Sequence, residues 1–213
     1  MKVCCIQSIA EAQMAVHAGA DAIGLVSEMP FGPGVIPEPL IRDIARSLPP
    51  MVNSVLLSSA TNTDTILKQL AFCRTDMIQL VERVESVVLK TIKHQFPEIS
   101  VIQVLHVTDQ QSLSDAKECS RYADAILLDS GNPKKPVREL GGTGRVHDWN
   151  ISRAIRDTVR IPVILAGGLT PSNVIDAVRS VQPYAVDVCS GVRTAGNLDQ
   201  NKLFSFTELC QKV

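Results

Sequence analysis

The sequence predicts an α/β fold of the (β/α)8 barrel class, a TIM barrel, and three observations carry that expectation. Short apolar runs alternate with amphipathic segments from one end of the chain to the other. Eight of the runs read as strands, each followed by a helix or by a segment able to form one. The strands are almost continuously apolar, as in parallel sheets covered by helices. At 213 residues the chain is near the short end for this barrel, and a single domain over 1–213 is expected. An open doubly wound sheet is the alternative, because strand order is not written in the pattern.

The first strand is "KVCCI" (2–6), followed by "SIAEAQMAVHAGA" (8–20). In that segment Ser8 and Glu11 are spaced as a capping box, apolar residues recur at helical intervals, and Gly19 closes the helix. "DAIGLVS" (21–27) is the second strand and "PEPLIRDIARSL" (37–48) the second helix, stopped by Pro49 and Pro50. The remaining strands are "MVNSVLLS" (51–58), "DMIQLV" (76–81), "SVIQVLHV" (100–107), "DAILLD" (124–129), "PVILAG" (162–167) and "AVDVCS" (185–190). Helical patterns separate them, and "NKLFSFTELCQK" (201–212) is the last helix. The junctions "AGADAIGL", "RYADAILL" and "QPYAVDVC" repeat one passage from a helix end into a strand.

Composition excludes several classes of function. Hydrophobic residues make up 45% and charged residues 20%, an ordinary globular usage, and the 12 glycines and 12 prolines form no low-complexity tract. A formal net charge of −1 leaves no global field for nucleic acid or an acidic membrane surface. No window approaches the roughly 18 apolar residues of a membrane span, and no signal-peptide pattern opens the chain. Cys4, Cys5, Cys73, Cys119, Cys189 and Cys210 lie mostly inside apolar runs without metal-ligand spacing. That usage suits a reducing compartment, and a cytoplasmic location is expected, with no metal site.

In this fold, function sits at the C-terminal ends of the strands, where three segments are glycine-rich. "GGTG" (141–144) follows the sixth strand, "AGGLTPSN" (166–173) the seventh and "CSGV" (189–192) the eighth. Glycine lets backbone N–H groups come close to an anion, and a helix N-terminus adds free donors. Thr170 and Pro171 read as an N-cap and first helical residue. Phosphate is the natural ligand, with Gly142, Gly144, Gly167, Gly168, Ser190 and Gly191 as candidate contacts. Glycines at strand ends also serve simply to make tight turns.

Beyond these signals, "KVCCI", "AGADAIGLV", "LPP" (48–50), "QL" (79–80), "LLDS" (127–130), "GGTGRVHDW" (141–149), "PVILAGGLTPSNV" (162–174) and "PYAVDVCSGV" (183–192) stand in a recognisable order and spacing. By these motifs the chain resembles the phosphoribosylanthranilate isomerases over essentially its whole length. The resemblance implies a (β/α)8 barrel of tryptophan biosynthesis. It also implies a cofactor-free Amadori rearrangement of N-(5′-phosphoribosyl)anthranilate to 1-(2-carboxyphenylamino)-1-deoxyribulose 5-phosphate. The expected partner is therefore a small phosphorylated substrate, with no nucleic acid and no membrane, and the chain is expected as a monomer or homodimer.

By the same resemblance, Asp129 is the acid that protonates the ribose ring oxygen and Cys4 the thiolate that removes the C2 proton. Both assignments are physically reasonable. A carboxyl in a partly desolvated pocket holds its proton closer to neutrality, and positive potential favours a thiolate. Taken alone, a strand cysteine is a small buried hydrophobe and a strand-end aspartate a turn residue. Strand alternation would point Cys5 toward the helices if Cys4 faces the barrel axis.

Four departures from the family pattern stand out. Cys5 occupies a glycine position, and Gly34, within "PFGPGVIPEP", occupies that of the arginine gripping the anthranilate carboxylate. Val81 and Glu82 replace a histidine and a glycine, and Arg193 replaces a glutamate. Arg193, or Lys134, Lys135 or Arg138, could supply the missing cation. Otherwise the chain is a divergent paralogue for another phosphorylated sugar or metabolite, or a catalytically idle binding barrel. His17 and His94 read as solvated. His106 ends a strand and either faces the pocket or packs. Trp149 reads as a packing residue, and His147 stands where the family carries an aromatic.

Overall fold

The structure is a computed structural model that describes residues 1–30, 32–131 and 147–212. Gly142 and Gly144, like Lys134, Lys135 and Arg138, lie outside the described residues. The barrel strands are β1 (Lys2–Val3), β2 (Ala22–Val26), β3 (Asn53–Ser58), β4 (Met77–Leu80), β5 (Ser100–His106), β6 (Ala125–Asp129), β7 (Val163–Leu165) and β8 (Ala185–Val188). They form a closed barrel in chain order. All neighbouring pairs are parallel, and β1 pairs with both β2 and β8, so the open-sheet alternative is excluded.

Helices α1 (Ile9–His17), α2 (Glu38–Ser47), α3 (Thr63–Cys73), α4 (Ser86–Gln95), α5 (Gln111–Cys119), α6 (Trp149–Thr158), α7 (Val174–Val181) and α8 (Gln200–Cys210) follow the strands in turn. Their apolar stripes meet the outward faces of the strands in one large core that includes Ile23, Leu25, Leu56, Ile78, Leu128 and Phe206. A second apolar cluster, with Val55, Leu57, Ile102, Val104 and Leu127, fills the barrel interior beneath the strand ends. Interior filling of this kind leaves a packed barrel whose usable space is at one mouth.

The helix signals behave as their chemistry requires. Ser8 caps α1 by accepting the Glu11 N–H at 3.1 Å, and Gly19 follows the helix with φ +92°. Glu11 completes only half of a capping box, since its carboxylate accepts from the Gln7 N–H at 2.9 Å, one residue earlier than the pattern expects. After β7 the expectation shifts by three residues. Helix α7 starts at Val174 behind Asn173, whose side chain accepts the Thr170 N–H at 2.8 Å and donates to the Gly168 carbonyl at 2.9 Å. The Thr170–Asn173 segment is thus a side-chain-locked turn ahead of the helix. No helix among the described residues is long and apolar enough to cross a membrane.

Candidate active site

At the C-terminal ends of the strands lies a cavity of about 660 Å³, its open mouth included. Cys4, Cys5, Asp129, Gly167, Gly168 and Ser190 all line it, so two sequence-separated candidate sets meet in one place. Gln79 and Asp187 add polar groups to the wall, and Val26, Leu57 and Val81 add apolar surface.

Asp129 ends β6 and is 8% exposed. Its Oδ1 accepts the Ser130 N–H at 2.7 Å. Burial pushes the carboxyl up to about 6, against the pull of that hydrogen bond, and the neighbouring Asp187 charge adds to the rise. Gly167 makes the arrangement possible. A Cβ there would lie 2.8 Å from the Ser130 nitrogen and 3.0 Å from Asp129 Oδ1, and its φ of +82° suits glycine.

Cys4 follows β1 and sits above an ion pair inside the barrel. Lys2, two residues earlier on the same face, places Nζ 2.9 Å from Asp187 Oδ1, with both side chains under 10% exposed. The two residues are also register partners across the β1–β8 seam. Burial works against the Lys2 charge, but Asp187 and Cys4 outweigh it and hold the ammonium above its ordinary range. The Cys4 thiol is lowered, first by a hydrogen bond from Cys5 and then by the Lys2 charge, with desolvation opposing. Gly24 on β2 leaves the room this needs, because a Cβ there would come within 2.8 Å of Cys4 Sγ and 3.2 Å of Lys2 Cε.

Cys5 departs from the alternation expected of a strand. Its φ is +62°, so the backbone turns at this residue and delivers both cysteines to the interior cluster and the pocket. Its Sγ lies 2.8 Å from Cys189 Sγ. Hydrogen bonding with Cys189 and Cys4, then burial, raise the Cys5 thiol well above its usual range. Gly34 faces it directly: a Cβ at Gly34, where φ is +80°, would lie 2.5 Å from Cys5 Cβ.

Arg193 is committed elsewhere. Its guanidinium binds Glu11 Oε1 and Oε2, each at 3.0 Å, the Gly196 carbonyl at 2.8 Å and the Cys5 carbonyl, and it is not among the pocket-lining residues. Burial opposes its charge and the Glu11 carboxylate restores it, so Arg193 stays above its ordinary range. The described residues that line the cavity include no lysine or arginine.

The loops after β7 and β8 fit tightly together. A Cβ on Gly191 would meet the Leu169 carbonyl oxygen at 1.8 Å, so only glycine allows this contact. Ser190–Val192 forms a 3-10 turn, and Gly168 takes φ +67°. Gly167, Gly168 and Ser190 face the cavity, while Gly191 supports the contact behind them.

His106 is the register partner of Asp129, is lowered by burial, and is absent from the described lining. His147 bonds Ser152 Oγ at 2.7 Å, burial lowering it to about 4, and Trp149 packs against the core. Sequence reasoning missed Lys2, Asp187 and Gly24. A charged residue inside an apolar strand, two positions from another site residue, was the signal available for Lys2 and for Asp187. Among the described residues no group of three or more His, Cys, Asp and Glu side chains is arranged to hold a metal ion.

A family model described as N-(5′-phosphoribosyl)anthranilate (PRA) isomerase matches residues 1–209. The chain belongs to the phosphoribosylanthranilate isomerase family. A relative from Methanocella arvoryzae named N-(5′-phosphoribosyl)anthranilate isomerase is 38% identical over 192 residues, 90% of this chain and 88% of that protein. A Methanosarcina mazei relative, N-(5′-phosphoribosyl)anthranilate isomerase 1, is 36% identical, covering 98% of this chain and 93% of its own length. Among solved structures, the phosphoribosyl anthranilate isomerase of Thermotoga maritima superposes with a TM-score of 0.86 at 30% identity, over 100% of this chain and 98% of that one. Another phosphoribosyl anthranilate isomerase, in complex with reduced 1-(o-carboxyphenylamino)-1-deoxyribulose 5-phosphate, gives 0.83 at 28% identity over the same shares.

Proposed function

We propose that the protein is a phosphoribosylanthranilate isomerase of tryptophan biosynthesis in which Asp129 and Cys4 share the proton transfers. The observation that carries this reading is their meeting in one pocket, with opposite adjustments of acidity. The carboxyl is pushed up to about 6, toward holding a proton, and the thiol is pushed down, toward losing one. Asp129 donates its proton to the ribose ring oxygen as the C1–O bond breaks, leaving an iminium at C1. Cys4 thiolate then takes the proton from C2, and the electron pair released neutralises the iminium. When the resulting enolamine becomes the ketone, C1 gains a proton, so C2 is oxidised and C1 reduced within one molecule.

Gly167, Gly168 and Ser190 present backbone and hydroxyl donors at the mouth of the pocket, and the 5′-phosphate is assigned to them. Gly191 holds the two loops in contact. The aryl ring lies against Val26, Leu57 and Val81. Asp187 is part of the wall, and Lys2, paired with it behind the lining, supplies an ammonium that favours the Cys4 thiolate.

The carboxylate end of the site is altered in a coupled way. With Cys5 in the left-handed conformation, a side chain at position 34 has no room, so the glycine-to-cysteine and arginine-to-glycine departures belong together. Arg193 does not fill the gap, because Glu11 occupies it. Loss of a bidentate grip forfeits roughly 1.5–3 kcal/mol of binding. That loss supports a second reading, in which the pocket serves a phosphorylated sugar without the carboxylate. The test is to follow loss of fluorescence of phosphoribosylanthranilate, generated in place, in the presence of the protein. Turnover above background is expected, with a raised KM. Phosphate binding without turnover would favour the second reading.

A further inference from the structure

We propose that Cys5 and Cys189 are an oxidation site in the wall of the pocket, a dithiol that a hydroperoxide converts to a disulfide joining the end of β1 to the end of β8. The sulfurs are 2.8 Å apart. A disulfide bond is about 2.05 Å long, so bonding requires a sulfur shift of less than about 1 Å. The approach is fixed by backbone on both sides. On the β1 side, the left-handed φ of Cys5 aims its thiol into the pocket, Arg193 grips its carbonyl and Gly34 leaves its Cβ room. On the β8 side, Cys189 stands immediately before the 3-10 turn that carries Ser190.

Access divides the roles. Cys189 is half-buried and lines the cavity, so a small peroxide reaches it by the substrate's own path. Its sulfur attacks the peroxide, the O–O bond breaks, and a sulfenic acid and an alcohol or water result. Cys5, with its sulfur 2.8 Å away, is the resolving partner: its sulfur displaces the sulfenic oxygen, its proton goes to that oxygen, the S–S bond forms and water leaves. In sum, two thiols and one hydroperoxide give one disulfide, one alcohol or water molecule and one water. Cys73 and Cys210, by contrast, do not line the cavity.

The disulfide would remove the Cys5 thiol that stabilises the Cys4 thiolate. Its effect on turnover rests on the function proposed above, but the chemistry of the dithiol does not. The experiment treats reduced full-length protein with hydrogen peroxide, blocks the remaining thiols by alkylation and maps peptides by mass spectrometry before and after dithiothreitol. The expected result is a Cys5–Cys189 linked peptide, lost on reduction and absent from Cys5→Gly and Cys189→Ser proteins. Loss of most of the turnover, restored by dithiothreitol, should accompany it in the wild type. Free Cys5 and Cys189 after treatment, sulfinic acid without linkage, or a link through Cys4 instead would overturn the proposal. Full turnover by the linked protein would contradict control of Cys4. If the reduced protein shows no turnover on phosphoribosylanthranilate, the linked peptide still decides the site.

Discussion

At the scale of single residues, the burial of Asp129 in the pocket costs folding stability. Its folded pKa of about 6 lies above the ordinary 3.8, so the folded protein binds the extra proton between those values. Folding stability from this group therefore falls as pH rises through that window, and the full penalty is present above it. Asp129→Asn mimics the protonated form and should be more stable than wild type at pH 8, by on the order of 2–3 kcal/mol. The difference should vanish below about pH 4, and urea melts at both pH values check it. A second prediction concerns Gly34→Ala, where a Cβ would fall 2.5 Å from Cys5 Cβ. The variant should lose about 1–3 kcal/mol by overpacking, and part of that loss should disappear in a Cys5→Gly background. Equal losses in both backgrounds would contradict the coupling. Cys4 and Asp129 were legible from strand ends and family motifs. The direction of Cys5 was not, because alternation assumes extended backbone and this residue has φ +62°.

At the scale of elements, Glu11 and Arg193 join the start of α1 to the segment after β8. Glu11 accepts from Gln7, from Leu198 at 3.1 Å and from Arg193, so one carboxylate ties together three stretches of chain. Burial would raise this carboxyl, yet Arg193 and the backbone donors hold it below its usual range. Arg193→Ala should cost roughly 3 kcal/mol by leaving Glu11 uncompensated, and Glu11→Ala/Arg193→Ala should recover part of it. The residual turnover should show a KM for phosphoribosylanthranilate close to wild type. A raised KM with unchanged stability would return Arg193 to the carboxylate site. Helix α1 was legible in outline, since Ser8 and Gly19 do what their types suggest. The start of α7 was not, because Asn173 reaches back to Thr170 and Gly168 and delays the helix, a choice between two caps that local pattern does not settle.

For the whole molecule, closure of the barrel depends on β1 meeting β8, the barrel pairing between the strands most distant in sequence. Apolar runs made the eight strands legible one by one, while their pairing is non-local and left the open sheet as an alternative. Lys2 and Asp187 bridge that seam as a buried pair. Lys2→Met should destabilise by about 3–5 kcal/mol, since a buried carboxylate loses its cation. Lys2→Met/Asp187→Leu should recover much of this in thermal melts while lowering the thiolate fraction of Cys4, read from the pH dependence of its alkylation. If the double variant restores stability and leaves that pH dependence unchanged, the buried pair serves packing alone.

The most direct test of the central account is the steady-state rate of phosphoribosylanthranilate isomerisation by wild type, Cys4→Ala and Asp129→Asn, each verified as folded. If the thiolate and the carboxyl divide the proton transfers, each substitution lowers kcat by on the order of 10²–10⁴-fold with little change in KM. A folded Cys4→Ala or Asp129→Asn protein that keeps kcat within about tenfold of wild type would contradict the account.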